Sequence, residues 1–174
     1  INSDWIAASD IDAEKYIEAI SLVPTAVESG SMPGAVIYAD RIASHTIPVA
    51  IGYMITDPQR RKTESDTCYD IGDLTGPLIT NPLVLVAAMQ GKIKIDDSLG
   101  SLLPEFSGSN KSGITVDQLL RHTSGLPDLS EAPVGMKNRE EVVEFLKSVP
   151  AAGEPGLEVR ISALNEVIVG LILE

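Results

Sequence analysis

Residues 69–80 read YDIGDLTGPLIT, a short apolar segment that turns into the start of a helix. Free backbone N–H groups and the positive end of the helix dipole make such a start suited to a reacting group or an anion. The residues at this junction are Asp73 and Gly76. Neither is an obvious nucleophile or base, and we interpret Asp73 first as a buried N-cap of the helix that follows.

The composition indicates a globular region. A chain of 174 residues with 44% hydrophobic residues can bury a core. Its net charge of −12 argues against a nucleic-acid partner, because 13 Lys and Arg residues against 25 acids do not readily supply a basic face. We interpret residues 1–174 as a single, incomplete region, with a helix and early strands over residues 1–72 and a mostly helical part over residues 73–174.

The sequence calls for no cofactor and no metal. Cys68 is the single cysteine, which excludes an internal disulfide and a cysteine-based zinc cluster, and its apolar surroundings predict a buried thiol. His45 and His122 are the two histidines and leave little for a metal site. No stretch reaches the roughly 20 apolar residues of a membrane span. Localisation stays undetermined.

The N-terminal part is predicted to form a helix and a hairpin. Ser9 is a candidate N-cap for a helix over residues 10–29, which Pro24 should disturb. The other predicted elements are strands over residues 35–40 and 46–55, a polar surface connection over 57–66 and a short extended run over 67–71.

An apolar run predicts a buried helix that ends near residue 90. Its residues are hydrophobic nearly all round, which favours burial over a surface position. Pro82 should kink this helix or delay its start to Asn81, and Gly91 should end it.

Three further helices follow from their capping residues. Thr115 with Gln118 and Asn138 with Glu141 match the capping-box pattern, and Ser162 precedes the last apolar run. The predicted helices cover residues 116–122, 139–149 and 163–174.

The last helix is apolar on most of its circumference. Only two or three strands are predicted before it, which is few for a sheet that must bury a face. We therefore expect a completing segment, a partner chain or a self-association surface to cover Val167, Ile168 and Leu171.

Several segments together resemble one known family. LLRHTSGLPD (119–128) is the most specific of them, and the resemblance runs from about residue 30 to the end. The chain resembles the N-terminal half of the serine beta-lactamase and penicillin-binding protein superfamily, in the branch of class C beta-lactamases, D-alanyl-D-alanine carboxypeptidases and family VIII esterases. The resemblance implies an α+β fold in which helices flank an antiparallel sheet, with a mostly helical region inserted and the late strands beyond this chain. The segments that carry the resemblance are PGAVI (33–37), GYMITDPQRRKTESDTCYDIGDLTGPLIT (52–80), GKIKIDDSLGSLLPEF (91–106), ITVDQLLRHTSGLPD (114–128) and PGLEVRISALNEVIVGLILE (155–174).

The resemblance implies that the reactive positions are substituted. The family uses a Ser-x-x-Lys, whose serine attacks a carbonyl while the lysine helps to remove its proton. These positions fall on Asp73 and Gly76. The Tyr-x-Asn before the last helix falls on Ile161 and Ala163, and a third motif would lie beyond residue 174. The resemblance therefore implies a hydrolase scaffold with no intact catalytic residue.

Other candidate reactive groups have simpler structural interpretations. Ser124 near His122 suggests a hydrolase, but the segment resembles a helix end with Gly125 as its C-cap, and no G-x-S-x-G surrounds the serine. His45 is expected at a hairpin tip, and Trp5 before the first helix is expected to pack against it.

Three hypotheses remain from the sequence. The first is an inactive family member, a pseudoenzyme that acts by binding or assembly. The second is one part of a split or processed acyl hydrolase of beta-lactamase, esterase or carboxypeptidase type, completed by another segment or chain. The third is a structural fragment or engineered variant without an independent role.

Overall fold

A computed structural model describes residues 11–41, 44–128 and 135–174, without the side chains of residues 41–45. Ser9 and Trp5 lie outside the described residues. The chain forms two compact units, Ile1–Asp70 and Ile71–Glu174. The boundary lies two residues before the division after residue 72 that the sequence suggests, and the interpretation of residues 1–174 as one region stays a prediction.

Helix α1 (Ala13–Glu28) covers the sheet of the first unit. Asp12 is its N-cap, since the Asp12 carboxylate accepts a hydrogen bond from the Lys15 backbone N–H. Tyr16 and Ile20 are the buried residues of this helix and pack on apolar strand residues. Pro24 lies within the helix, so the predicted disturbance does not end it.

The sheet of the first unit is antiparallel, in the order β1 (Gly34–Ile37), β4 (Val49–Ile55) and β5 (Arg61–Lys62). Gly34 lies opposite Gly52, and these two residues without Cβ atoms let β1 and β4 approach closely. A two-stranded pair, β2-β3, sits between β1 and β4 in sequence. The strands are β1 (Gly34–Ile37), β2 (Asp40–Arg41), β3 (Ser44–His45), β4 (Val49–Ile55) and β5 (Arg61–Lys62).

The predicted hairpin is confirmed, although other predictions over residues 35–71 are wrong. Both strands are shorter than expected, because the backbone leaves β1 after Ile37 to form the β2-β3 pair. The predicted polar connection contains β5, which its backbone bonds to β4 define despite its polar sequence. Among the described residues, none of 67–71 is in a strand, and Cys68 is exposed. Local apolarity predicted burial, but no element among the described residues covers the thiol.

Helix α2 (Asn81–Met89) is reached through two irregular turns. A 3₁₀ turn (Gly72–Leu74) and a π-helical turn (Gly76–Thr80) come before it. The delayed start at Asn81 is confirmed, and its cause is Pro82, whose missing N–H is tolerated in a first helical turn. Gly91 follows the helix with a φ of +70°, as its predicted C′ position requires.

Helix α2 is less buried than its composition predicts. Val84 is its one fully buried residue. The π turn and α2 together expose six large apolar side chains, and we call this surface the α2 apolar face. Its members are Leu78, Ile79, Leu83, Leu85, Val86 and Met89.

The described part of the second unit contains four further helices, and the N-caps of three of them follow the sequence. Thr115 and Gln118 form the predicted capping box, and the Ser162 hydroxyl accepts a hydrogen bond from the Leu164 backbone N–H. Asn138 is an N-cap, but the Glu141 carboxylate accepts from the Lys137 backbone N–H and the Asn138 side-chain amide. The helices are α3 (Leu99–Leu102), α4 (Val116–Leu120), α5 (Arg139–Ser148) and α6 (Ala163–Leu173).

The last helix is the centre of the core rather than an uncovered surface. Ile168 is fully buried, and Leu171 is 8% exposed. Val167 packs against the same core cluster, which includes Phe106 from a 3₁₀ turn (Pro104–Phe106) and Leu146 from α5. Elements of this chain, α4 and the π turn among them, therefore already cover Ile168 and Leu171, while Val167 is half-buried. The expected completing segment, partner chain or self-association surface stays a prediction.

Two cationic side chains, Lys111 and Arg139, link different segments of this unit. The buried Lys111 ammonium donates to the backbone carbonyls of Lys147 and Val149, at the end of α5. Burial lowers the pKa of Lys111 from its ordinary value. Arg139 pairs with Glu105 and with Glu174. No helix among the described residues is long and apolar enough to cross a membrane.

The capping box of α4 yields a stability prediction. We expect Thr115→Ala to lower the free energy of unfolding by about 1 kcal/mol, because the Gln118 backbone N–H loses its acceptor. Urea denaturation measures the change. Thr115→Ser keeps the hydroxyl and should retain most of the stability, so an equal loss in both variants would contradict the capping role.

Candidate functional site

The predicted reactive positions lie on the two irregular turns and at the start of α6. Asp73 is exposed in the 3₁₀ turn and does not cap it, since no side chain among the described residues caps either turn. The prediction of a buried N-cap at Asp73 is therefore wrong, because these turns begin from helical backbone. Gly76 is buried, Ile161 is 73% exposed, and Ala163 is half-buried as the first residue of α6.

Gly76 lies directly against the carboxylate of Glu166. A Cβ placed at Gly76 would lie 2.6 Å from Glu166 Oε1 and 2.9 Å from Oε2. Glu166 belongs to the first turn of α6. The fold thus brings the start of the π turn to the start of α6, and it fills the space beside Gly76 with an acidic side chain.

The turn after α4 places a histidine next to this carboxylate. His122 has a φ of +54°, and it follows the helix in the left-handed conformation that glycine usually adopts. The Thr123 backbone N–H donates to the Gln118 carbonyl and the His122 N–H to the Leu119 carbonyl, which is the Schellman arrangement. The C′ residue is therefore His122, and the prediction of a C-cap at Gly125 is wrong.

A buried amide orients the His122 ring. Asn165 is fully buried, its Oδ1 accepts from the Ser124 hydroxyl at 2.6 Å, and its Nδ2 lies 3.0 Å from His122 Nδ1. Because Oδ1 faces a hydroxyl donor, Nδ2 is the donor toward the ring, and Nδ1 accepts. The ring proton of the neutral imidazole therefore lies on Nε2.

The ring and the carboxylate form an incompletely bonded pair. His122 Nε2 lies 3.9 Å from Glu166 Oε1. Glu166 Oε2 is buried and has no hydrogen-bond partner among the described residues. A buried carboxylate oxygen without a donor is costly, and a further donor beside it would stabilise the site.

This arrangement does not activate Ser124 as a nucleophile. Ser124 is 2% exposed, and its hydroxyl donates to Asn165 rather than to His122. A serine nucleophile needs a base within reach of its proton and an open path to a carbonyl. The geometry agrees with the structural interpretation of the His122 and Ser124 pair.

Sequence reasoning missed Asn165 and Glu166. One signal could have identified them, because they are adjacent polar residues in a helix that otherwise reads as apolar, ALNEVIVGLIL. A polar side chain on a buried helix usually has a specific partner.

Other parts of this unit offer no second reactive cluster among the residues that the structure describes. A cavity of about 180 Å³ is lined by residues that include Gly125, Leu157 and Arg160, and none of the four predicted site positions lines it. Within the described ranges, no group of three or more His, Cys, Asp or Glu side chains could hold a metal ion.

Two features define the class of protein. They are an early antiparallel sheet covered by a helix and a helical unit that follows it in sequence. The beta-lactamase family model matches residues 20–174, most of the chain. The chain belongs to the beta-lactamase family.

Individual relatives are longer than this chain. Protein flp of Staphylococcus aureus is 28% identical over 171 residues, which cover 94% of this chain and 33% of that protein. A beta-lactamase of Providencia stuartii is 29% identical over 121 residues, 69% of this chain and 31% of that protein. The chain thus spans about a third of the curated relatives that it matches.

Solved structures show the same fold. A class C beta-lactamase superposes with a TM-score of 0.75 at 22% identity, over 95% of this chain and 45% of that one. A D-alanine carboxypeptidase from Burkholderia cenocepacia superposes with a TM-score of 0.71 at 21% identity, over 93% of this chain and 43% of that one. The chain is therefore a partial beta-lactamase-like fold, as the sequence predicts.

Proposed function

We propose that this chain is a member of the beta-lactamase family that does not form an acyl-enzyme and acts by binding or assembly. The observation that carries the proposal is Gly76. It has no amine to take up the proton of a nucleophile, and the space beside its Cα holds the Glu166 carboxylate.

The other reactive positions support the same proposal. Asp73 carries a carboxylate, which would form a labile anhydride with an acyl group. Ile161 presents a hydrocarbon side chain to solvent, and Ala163 has no group that could position a substrate. Each factor of ten in rate corresponds to about 1.4 kcal/mol of transition-state stabilisation, so loss of the whole set predicts activity near background.

Exposed apolar surface supports a role in assembly. The α2 apolar face presents six large hydrophobic side chains, and Met89 among them is 88% exposed. Residues 157–161 add Leu157, Val159 and Ile161, each more than 70% exposed. Large exposed apolar side chains in such numbers are typical of protein interaction sites.

Acylation is the test of this proposal. We expect the purified protein to remain unlabelled by a fluorescent penicillin and by a fluorophosphonate, because Ser124 is buried and no serine occupies position 73. Intact-mass spectrometry after incubation measures the adduct, and a class C beta-lactamase treated in parallel is the positive control. An acyl adduct on any serine of this chain would overturn the proposal.

A second candidate is one part of a split or processed acyl hydrolase. It is favoured by the coverage of the solved structures, less than half of whose length this chain spans. Mass spectrometry of the native material distinguishes the candidates. A companion polypeptide that matches the remaining part of the fold and restores labelling would favour the second.

A further inference from the structure

We propose that the Glu166 carboxylate occupies the space in which a side chain of residue 76 would lie, and that it would form an ion pair with an amine introduced at that position. This inference deepens the proposed function and rests on it. In this proposal, Glu166 would hold an amine at residue 76 in an ion pair and so prevent it from accepting a proton.

The first support is the fit between the two residues. Both carboxylate oxygens and the carboxyl carbon lie within 3 Å of the Cβ position of residue 76. A contact of that length excludes even a methyl group unless the carboxylate shifts. The Glu166 carboxylate therefore fits in this position because residue 76 has no Cβ atom, although the two residues lie on different elements far apart in sequence.

The second support is the unsatisfied oxygen. Glu166 Oε2 is buried without a hydrogen-bond partner among the residues that the structure describes, while Oε1 faces His122 Nε2 at 3.9 Å. An ammonium group brings three donors and a positive charge. A lysine at residue 76 would therefore supply what the carboxylate lacks, and the ion pair would remove the amine from proton transfer.

The third support is that the side chains around Glu166 are held in place. Asn165 and Ser124 fix the His122 ring through buried hydrogen bonds, and α6 anchors Glu166 by the core residues on either side. The packing of α6 thus fixes the backbone from which the Glu166 side chain extends toward Gly76.

Charge coupling between the two positions tests the proposal. Gly76→Lys, Glu166→Gln and the double variant form a double-mutant cycle, with the unfolding equilibrium constant measured in urea. We expect the effect of Gly76→Lys on the unfolding equilibrium constant to differ about tenfold or more between the parent and the Glu166→Gln backgrounds. This difference should be smaller at high salt. If the effects of the two single substitutions on the unfolding equilibrium constant combine in the double variant to within a factor of about two, the proposal is overturned.

A control cycle uses a glycine away from the site. Gly113 has no positive φ and no atom within 4 Å of its Cβ position. Gly113→Lys combined with Glu166→Gln should be additive. Coupling as large as that at residue 76 would show a general charge effect and would also overturn the proposal.

A methyl probe keeps the test decisive if Gly76→Lys does not fold. We expect Gly76→Ala to raise the unfolding equilibrium constant with Glu166 present, where the carboxylate must shift aside, and to be neutral or favourable in the Glu166→Ala background. An equal loss in both backgrounds would show that the carboxylate does not exclude a side chain at residue 76. Penicillin labelling reports on acylation and these cycles report on contact, so failure of one is distinguishable from failure of the other.

Discussion

Replacement of Asn165 by alanine is expected to lower the free energy of unfolding of the second unit by about 3 kcal/mol. The variant removes the acceptor of the Ser124 hydroxyl and the amide that faces His122 Nδ1, which keeps only the longer bond from the Ser162 backbone N–H at 3.4 Å. Each buried polar group left without a partner costs about 1–3 kcal/mol, and the deleted amide also leaves a void. Urea denaturation of Asn165→Ala against the parent measures the loss.

The conservative variant Asn165→Asp separates orientation from packing. An aspartate keeps an acceptor for the Ser124 hydroxyl but places a carboxylate oxygen, an acceptor, where the Asn165 amide faced His122 Nδ1. We expect the ring proton to move from Nε2 to Nδ1, which ¹⁵N chemical shifts of the imidazole report. His45→Gln assigns the signals, since the chain has two histidines. An unchanged tautomer would contradict the hydrogen-bond assignment.

Replacement of Gly52 by alanine is expected to destabilise the first unit by about 3 kcal/mol. Gly52 has a φ of +79°, which costs an L-residue roughly 1–2 kcal/mol. A Cβ there would also lie 2.5 Å from the Pro33 carbonyl oxygen and 2.8 Å from Gly34 Cα. Both atoms belong to the backbone, so β1 must move and the bond from the Tyr53 N–H to the Pro33 carbonyl must weaken.

Gly30 provides the matched control for this prediction. Its φ is +76°, but no atom lies within 4 Å of its Cβ position. Gly30→Ala should therefore cost only the conformational part, about 1–2 kcal/mol. Hydrogen exchange of the β1 and β4 amides should increase in Gly52→Ala and not in Gly30→Ala. Equal effects in the two variants would mean that strand contact at Gly52 contributes nothing.

Local signals predicted the helices well. Pro82 fixed the start of α2, and Thr115, Asn138 and Ser162 each cap the predicted helix. Caps and prolines act within one turn of the chain, so their effect is readable from neighbouring residues. Strand β5 was missed for the opposite reason, since its polar residues, 61 and 62, pair only because β4 lies alongside.

Burial could not be read from apolarity alone. Helix α2 and helix α6 are both strongly apolar, yet α6 lies in the core and α2 exposes Leu83, Val86 and Met89. Composition predicts that a face prefers to leave water, but which neighbour covers it depends on packing between distant elements. The same limit explains why the exposure of Cys68 could not be predicted from its apolar neighbours.

The sequence by itself determined the family, the starts of α2, α4, α5 and α6, and the residue types at positions 73, 76, 161 and 163. It did so because motifs and caps are properties of residue identity and short spacing. Only the tertiary structure decided that Glu166 faces Gly76 and that Asn165 links Ser124 to His122. Those contacts join residues on elements far apart in the chain, and the packing of α6 against α4 and the π turn sets their distances, which no local pattern records.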